Sequence, residues 1–344
     1  MTSLERVLTA LSHREPDRVP LFLTLTMHGA KELGLSIKEY FSKAENVVKG
    51  QLILREKYHN DFIYSFFYAP VEIEAWGGEV IFYEDGPPNS GRPFIKNPED
   101  IKKLSPPSVK ESKVLLKVLK AIQMLKEKVC QEVPIVGVVM SPFSLPVMQM
   151  GFDSYLDIMY EQEDLFNHLM KINSSFCVEW ANAQLEAGAT AICYFDPVSS
   201  TTVIPKEKYR ETGMVIAKRT LSQIKGPAAT HFASGRSLPI IEDVIQTGTA
   251  IIGVSVDEDL SLLKEKCRGK LTLLGNLNGI EMRRWSREEA EEHVKGAIKK
   301  AATGGGFIVS DNHGEIPWYV PESVLISISE AVREWGTYPL KWIF

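Results

Sequence analysis

Short β-branched or aromatic runs recur along this chain between longer stretches of helical period, and that alternation constrains the fold more than any other feature. The runs are Val19 to Thr26, Asp61 to Phe67, Pro134 to Met140, Thr190 to Phe195, Pro227 to His231, Ala250 to Val256, Lys270 to Leu274 and Gly306 to Ser310. Between them, segments such as Glu288 to Ala302 place Ala290, Val294, Ala297 and Ile298 on one side and Glu and Lys on the other. Strand and helix repeated eight times predict an α/β fold, a single (β/α)8 TIM barrel spanning residues 1–344 as one domain. Leu4, Val7, Leu8 and Leu11 carry helical spacing ahead of the first strand and predict an N-terminal helical extension. After the second strand, Val71 to Ser108 contains the aromatic passage WGGEVIFYEDGPPNSGRPF, which reads as an insertion crossing the barrel mouth.

A closed parallel barrel keeps its chemistry at the carboxyl ends of its strands, because the interior and the opposite face are taken by packing. Walking those ends selects Met27 and His28; Ser65 to Tyr68; Ser141 and Phe143; Tyr194 and Asp196; His231; Asp257 and Glu258; Asn276 and Asn278; and Asp311, Asn312, His313 and Glu315. A single Asp or Asn in such a place also serves as a helix cap. His231 and His313 stand out, since each ends an apolar strand and has a Gly within four residues. His13, His59, His168 and His293 sit in charged or amphipathic surroundings and read as surface residues. Strand alternation pairs Cys193 with Phe195, opposite Tyr194 and Asp196, and so points Cys193 away from the site.

Charge and cysteine usage narrow the function classes. With 39 basic against 44 acidic residues, the chain lacks the excess of Lys and Arg that holds a polyphosphate backbone, so nucleic acid is not an expected partner. The four cysteines are widely spaced without a CxxC pair, as in a protein with reduced thiols. No stretch approaches the roughly 20 apolar residues of a membrane helix, and the charged N-terminus is unlike a signal peptide, so the expected location is the cytoplasm. The C-terminal WGTYPLKWIF is apolar enough to dock on its own barrel or on a neighbour.

Several passages together resemble the uroporphyrinogen decarboxylase superfamily, which also holds the zinc-dependent methyltransferases of corrinoid methyl-transfer systems. They are REPDRVP; SPFSLPVMQMGFDSYL with the helix YEQEDLFNHLMK; FDPVSS; HFASG; GNLNG; and GGGFIVSDNHGEIPWYVPESV. The resemblance covers nearly the whole chain and implies the same single barrel, and it allows a homodimer. Porphyrinogen decarboxylation implies an N-terminal Arg cluster and an aspartate at the end of strand two; here those positions read TLTMHGAKELG and YSFFYAP. Decarboxylation is therefore demoted.

The thiol-methylating branch implies a zinc site made by His-x-Cys on strand five and a Cys after strand eight. This chain reads His231-Phe232-Ala233 and carries His313 in the later position. Loss of both thiolates leaves His231, His313 and one of Asp257, Glu258, Glu315 or Asp311, with Asp257 preferred, as a harder zinc site acting on oxygen. An imidazole pair working by hydrogen bonds without an ion stays open. The resemblance thus implies a cobamide-dependent methyltransferase of the O-demethylase kind. It would pass a methyl group from an O-methyl donor, such as a methoxylated aromatic compound, to a cobalamin-carrying corrinoid protein. His231, His313, Asp257 and Glu258 would be catalytic. His28, Phe67, Tyr68, Phe143, Tyr194, Asp196, Asn276, Asn278, Glu315 and Trp318 would bind substrate, the aromatics, with Phe66, walling an aryl pocket unless they are plain core. A methylcobamide:thiol methyltransferase, a porphyrinogen decarboxylase and a non-catalytic binding barrel are the alternatives.

Overall fold

A computed structural model describes residues 1–343 of the chain. Eight strands form one parallel sheet: Leu21–Phe22, Ile63–Tyr64, Ile135–Met140, Ala191–Phe195, Ala228–His231, Ile251–Gly253, Thr272–Leu277 and Phe307–Asp311. They are called the first to eighth strands below. In space the order runs first, eighth, seventh, sixth, fifth, fourth, third, second, with registers such as Phe195 beside His231 and Ser310 beside Asn276. The third and eighth strands are buried at every position, as expected where helices cover the outer face and side chains fill the inner one.

Helices between the strands begin where the sequence supplies caps. Ser286 and Glu289 form a capping box at the start of Arg287–Ala301, which buries Ala290, Val294, Ala297 and Ile298. Thr2 and Glu5 do the same for the N-terminal helix Ser3–Leu11. The insertion after the second strand is present, with Val80–Ile81 pairing antiparallel to Asn89–Ser90. It reaches the mouth: Phe94 packs against the cluster of Ile73, Met140 and Leu145, on which Phe195 also packs, and Asp85 accepts a hydrogen bond from the Tyr319 hydroxyl.

The first two strands pair over only two residues each, far less than the expected Val19 to Thr26 and Asp61 to Phe67, because side chains do the bonding there. At the seam between them, Asp61 N–H donates to the Leu21 carbonyl at 2.9 Å, and the Asp61 carboxylate accepts from Leu21 N–H at 2.9 Å. Asn60 then imitates a strand, accepting from Leu23 N–H at 2.8 Å and donating to the Leu23 carbonyl at 2.9 Å. On the other side of the short second strand, Gln184 bonds both Val138 N–H and its carbonyl, and Glu72 accepts from Met140 N–H at 2.8 Å. A side chain at Gly137 would lie 2.6 Å from the Gln184 amide oxygen, so glycine is needed there.

The C-terminal segment docks on its own barrel. Trp342 stands edge-on to Trp335 at 5.6 Å, and the Tyr338 hydroxyl donates to the Ala302 carbonyl at 2.6 Å. All four cysteines are free thiols, and no described helix is long and apolar enough to cross a membrane.

Asp61 is the charged centre of the seam, its side chain 1% exposed and paired with Arg6 at 2.6 Å and Arg18 at 2.7 Å. Removing it takes a partner from two guanidinium groups, the Ser3 hydroxyl and the buried Leu21 N–H, which predicts that Asp61→Ala destabilises the protein by about 3–5 kcal/mol in urea unfolding. A loss below about 1 kcal/mol would show that the seam closes without it.

Candidate active site

The fifth strand ends at His231, whose ring is 2% exposed and lies flat between two glycines and an aromatic face. A Cβ on Gly253 of the sixth strand would sit 2.5 Å from the ring's Cδ2, and one on Gly314 would sit 3.3 Å from its Cε1. Phe195 of the fourth strand stacks on the same ring, with centroids 5.5 Å apart and planes 29° from parallel. Beyond the strand, Ala233 takes a left-handed φ of 51° and turns its N–H back onto His231 Nδ1 at 3.0 Å. The next residue, Ser234, hydrogen-bonds His313 Nδ1, so one short turn touches both imidazoles.

His313 follows the eighth strand on a loop organised by Asp311. One Asp311 oxygen accepts from His313 N–H at 2.8 Å and Gly314 N–H at 2.9 Å; the other accepts from the Thr24 hydroxyl of the segment after the first strand. A Cβ on Gly279, after the seventh strand, would lie 3.2 Å from the His313 ring. The Nε2 atoms of both His231 and His313 are shielded from solvent and bonded to no protein group. Two buried ring nitrogens without partners, brought together from different strands, are the mark of a site that takes its partner from a ligand.

Burial pushes His231 down to about 4, with neighbouring His313 adding to that and Asp311 opposing it. Burial likewise lowers His313, against the pull of Asp311 and Asp257. Both rings are therefore neutral near pH 7. Glu315, half-buried and holding the Thr26 hydroxyl, is pushed up to about 7 by burial, with Asp311 contributing. Tyr64 of the second strand is pushed well up by burial, with Cys193, Glu315 and Asp311 adding to it.

Not all residues selected from the sequence gather here. Asp257 is exposed and meets the site only through its charge on His313. Glu258 instead fastens the loop after the fifth strand, accepting from Ser237 N–H at 2.9 Å and Leu238 N–H at 2.5 Å. Asn278 caps the turn Glu281–Arg284, and Asn276 donates to the Ser255 carbonyl at 2.9 Å; both face a groove shared with Trp285 and His293. Phe143 packs edge-on to Tyr155 and Phe166, inside the layer between strands and helices. Tyr194 and Asp196 point into that layer too, Asp196 accepting from Ser141 and Ser144. The fourth strand is thus turned opposite to the sequence expectation: Cys193 and Phe195 face the site, and Tyr194 and Asp196 face away. Tyr68 bonds Glu74 and packs on Phe41 and Phe82, while Phe67 stands edge-on to Tyr64. His28, pushed down to about 3 by burial and then by Lys31, lies 5.9 Å from Trp318. Phe195, Tyr64, Ser234 and the threonines Thr24 and Thr26 were not selected. Ser234 alone carried a signal, as the polar residue between His231 and Gly235.

A family model described as uroporphyrinogen decarboxylase (URO-D) matches residues 2–335. The chain belongs to the uroporphyrinogen decarboxylase family. Its relatives in that family carry different activities. The methylcobamide:CoM methyltransferase MtbA of Methanosarcina acetivorans is 26% identical over 328 residues, covering 91% of this chain and 92% of its own. A uroporphyrinogen decarboxylase of Cupriavidus pinatubonensis is also 26% identical, over 277 residues, covering 76% of this chain and 75% of its own. A solved methyltransferase from Methanosarcina mazei superposes with a TM-score of 0.86 at 22% identity, over 97% of this chain and 99% of that one, which shows the shared barrel.

For this chain the resemblance implies a zinc site made by His231, His313 and Asp257. The residues do not fit that ion: among the described residues no three His, Cys, Asp or Glu side chains converge as a metal-ligand set.

The raised Glu315 links stability to pH. Its proton affinity is higher folded than unfolded, so its contribution is full below about pH 4.5 and is lost as pH rises through about 7. The unfolding free energy of the wild type from urea titrations should drop as pH rises from about 5 to about 8, by the order of 1–3 kcal/mol for this group, and Glu315→Gln should flatten that slope. Identical slopes for the two proteins would contradict the assignment.

Proposed function

We propose that this protein moves a methyl group from an O-methyl donor, a methoxylated aromatic compound or similar, to the cobalt of a partner corrinoid protein. The observation that carries this is the pair of unpartnered, shielded Nε2 atoms of His231 and His313 at the carboxyl end of the barrel. Methyl transfer breaks the methyl–oxygen bond, leaves its electron pair on oxygen and forms a bond from the methyl carbon to the acceptor. The difficulty is the charge that develops on the departing oxygen. Ring nitrogens fixed on neighbouring imidazoles would stabilise it, when they donate to it, without reorganising, and the shielded setting strengthens each interaction. Glu315, with its carboxyl pushed up to about 7, keeps a proton within the same loop near neutral pH. Phe195, under the His231 ring, offers an apolar face to the rest of the donor.

The relatives named as methylcobamide:CoM methyltransferases support the corrinoid as one substrate. They support a thiol as the other less well, because Ala233 stands where a zinc-binding cysteine is expected. The cysteine near the site, Cys193, is buried and pushed up to about 12 by that burial, so it offers no thiolate. Decarboxylation is disfavoured by the aromatic and apolar end of the second strand, where Phe66, Phe67 and Tyr68 are buried.

Mixing the protein with a reduced corrinoid protein and a panel of methoxylated arenes should produce the absorbance of methylated cobalt. His231→Gln and His313→Gln should each slow that change by about 10²–10³-fold while leaving the fold intact. No spectral change with any donor, or carbon dioxide released from a polycarboxylated tetrapyrrole, would contradict the proposal.

A further inference from the structure

We infer that His231 is a hydrogen-bond donor to the substrate oxygen through Nε2–H and cannot serve as a metal ligand in this fold. A neutral imidazole carries one proton and one lone pair, on different nitrogens. At 3.0 Å from Nδ1 stands the backbone N–H of Ala233, which has a proton to give and no lone pair to accept with. Nδ1 is therefore the accepting nitrogen, and the ring proton sits on Nε2. A metal bound at Nε2 would need that lone pair and would drive the proton to Nδ1, setting it against the Ala233 donor. Metal-binding histidines show the opposite arrangement, with the second nitrogen donating to a carboxylate or carbonyl.

The loop cannot easily give way. Ala233 holds its N–H in place through a left-handed φ of 51°, and Gly235 leaves no room, since a Cβ there would lie 2.3 Å from Ser200 Oγ. Beyond it, Glu258 binds Ser237 N–H and Oγ and Leu238 N–H. The ring itself is clamped by Gly253 and Phe195, and turning it over would present Cδ2 to the Ala233 donor and lose the bond. With Nε2–H shielded and otherwise unpaired, the ligand it takes is an acceptor: an ether oxygen, or the alkoxide or phenolate that leaves it.

The chemistry of the ring stands on this structure alone, whereas its use in catalysis rests on the methyl-transfer proposal. Nitrogen-15 spectra of protein labelled in histidine, with the His231 signals assigned by their loss in His231→Gln, should show Nδ1 unprotonated and Nε2 protonated. Zinc added to the full chain and removed by gel filtration should leave far less than one ion per chain, with no difference between wild type and His231→Gln. Methyl transfer should change less than about twofold after treatment with a strong chelator. A proton on Nδ1, or one zinc per chain that His231→Gln abolishes, would overturn the inference. So would transfer that a chelator stops and zinc restores, and that result would leave the methyltransferase proposal standing. If no donor is demethylated but the spectra show Nε2–H and zinc is not retained, the proposed function falls and the donor assignment survives.

Discussion

The first and second strands close the barrel almost without a backbone ladder, and the geometry of the mouth depends on that closure. Asn60 and Asp61 supply amide and carboxylate groups where strand hydrogen bonds would run, and Arg6 and Arg18 balance the buried carboxylate. A sheet left open at this seam would be free to flatten. On the other flank of the first strand, beside the eighth, Thr24 and Thr26 hold Asp311 and Glu315 of the last loop. The first strand thus carries the closing bonds on one flank and the bonds that hold the His313 loop on the other.

From that frame the site follows by short steps. The turn after the fifth strand joins the two imidazoles, because Ala233 bonds one ring and Ser234 the other. Glycines at 253, 279 and 314 permit the approach, since side chains there would collide with or crowd the rings or Phe195. Burial then keeps both rings neutral, and a neutral ring is what a departing oxygen can use without an ion-pairing partner in the substrate. The same burial that makes these groups useful costs stability, a common compromise where polar atoms are left without partners.

Much of the fold was legible in the sequence because hydrophobic run and helical period are local signals. The third, fourth, fifth and eighth strands fall within about two residues of the apolar runs at both ends. The seventh runs on to Leu277, beyond the expected Leu274, since its polar residues Gly275 and Asn276 still pair with the eighth. The paired part of the first two is short for a reason no run of residues displays: side chains distant in sequence replace the ladder.

At the site, the rule that chemistry collects at strand ends brought out His231, His313, Asp311 and Glu315. Inward or outward direction was a different matter. Polarity suggested that Tyr194 and Asp196 face the mouth, yet the layer between strands and helices is itself polar here, with Ser141, Ser144 and the Gln149–Asn173 amide pair. In a parallel barrel both faces of a strand are buried, so side-chain character does not reveal which one is inside. The central claim is that barrel closure aims two imidazole nitrogens at one oxygen. A crystal structure with a bound phenolate, the demethylated product of an aryl methyl ether, tests it most directly. The account predicts the phenolate oxygen within hydrogen-bond distance of Nε2 on both His231 and His313; an oxygen bound elsewhere, with either nitrogen still unpartnered, would contradict it.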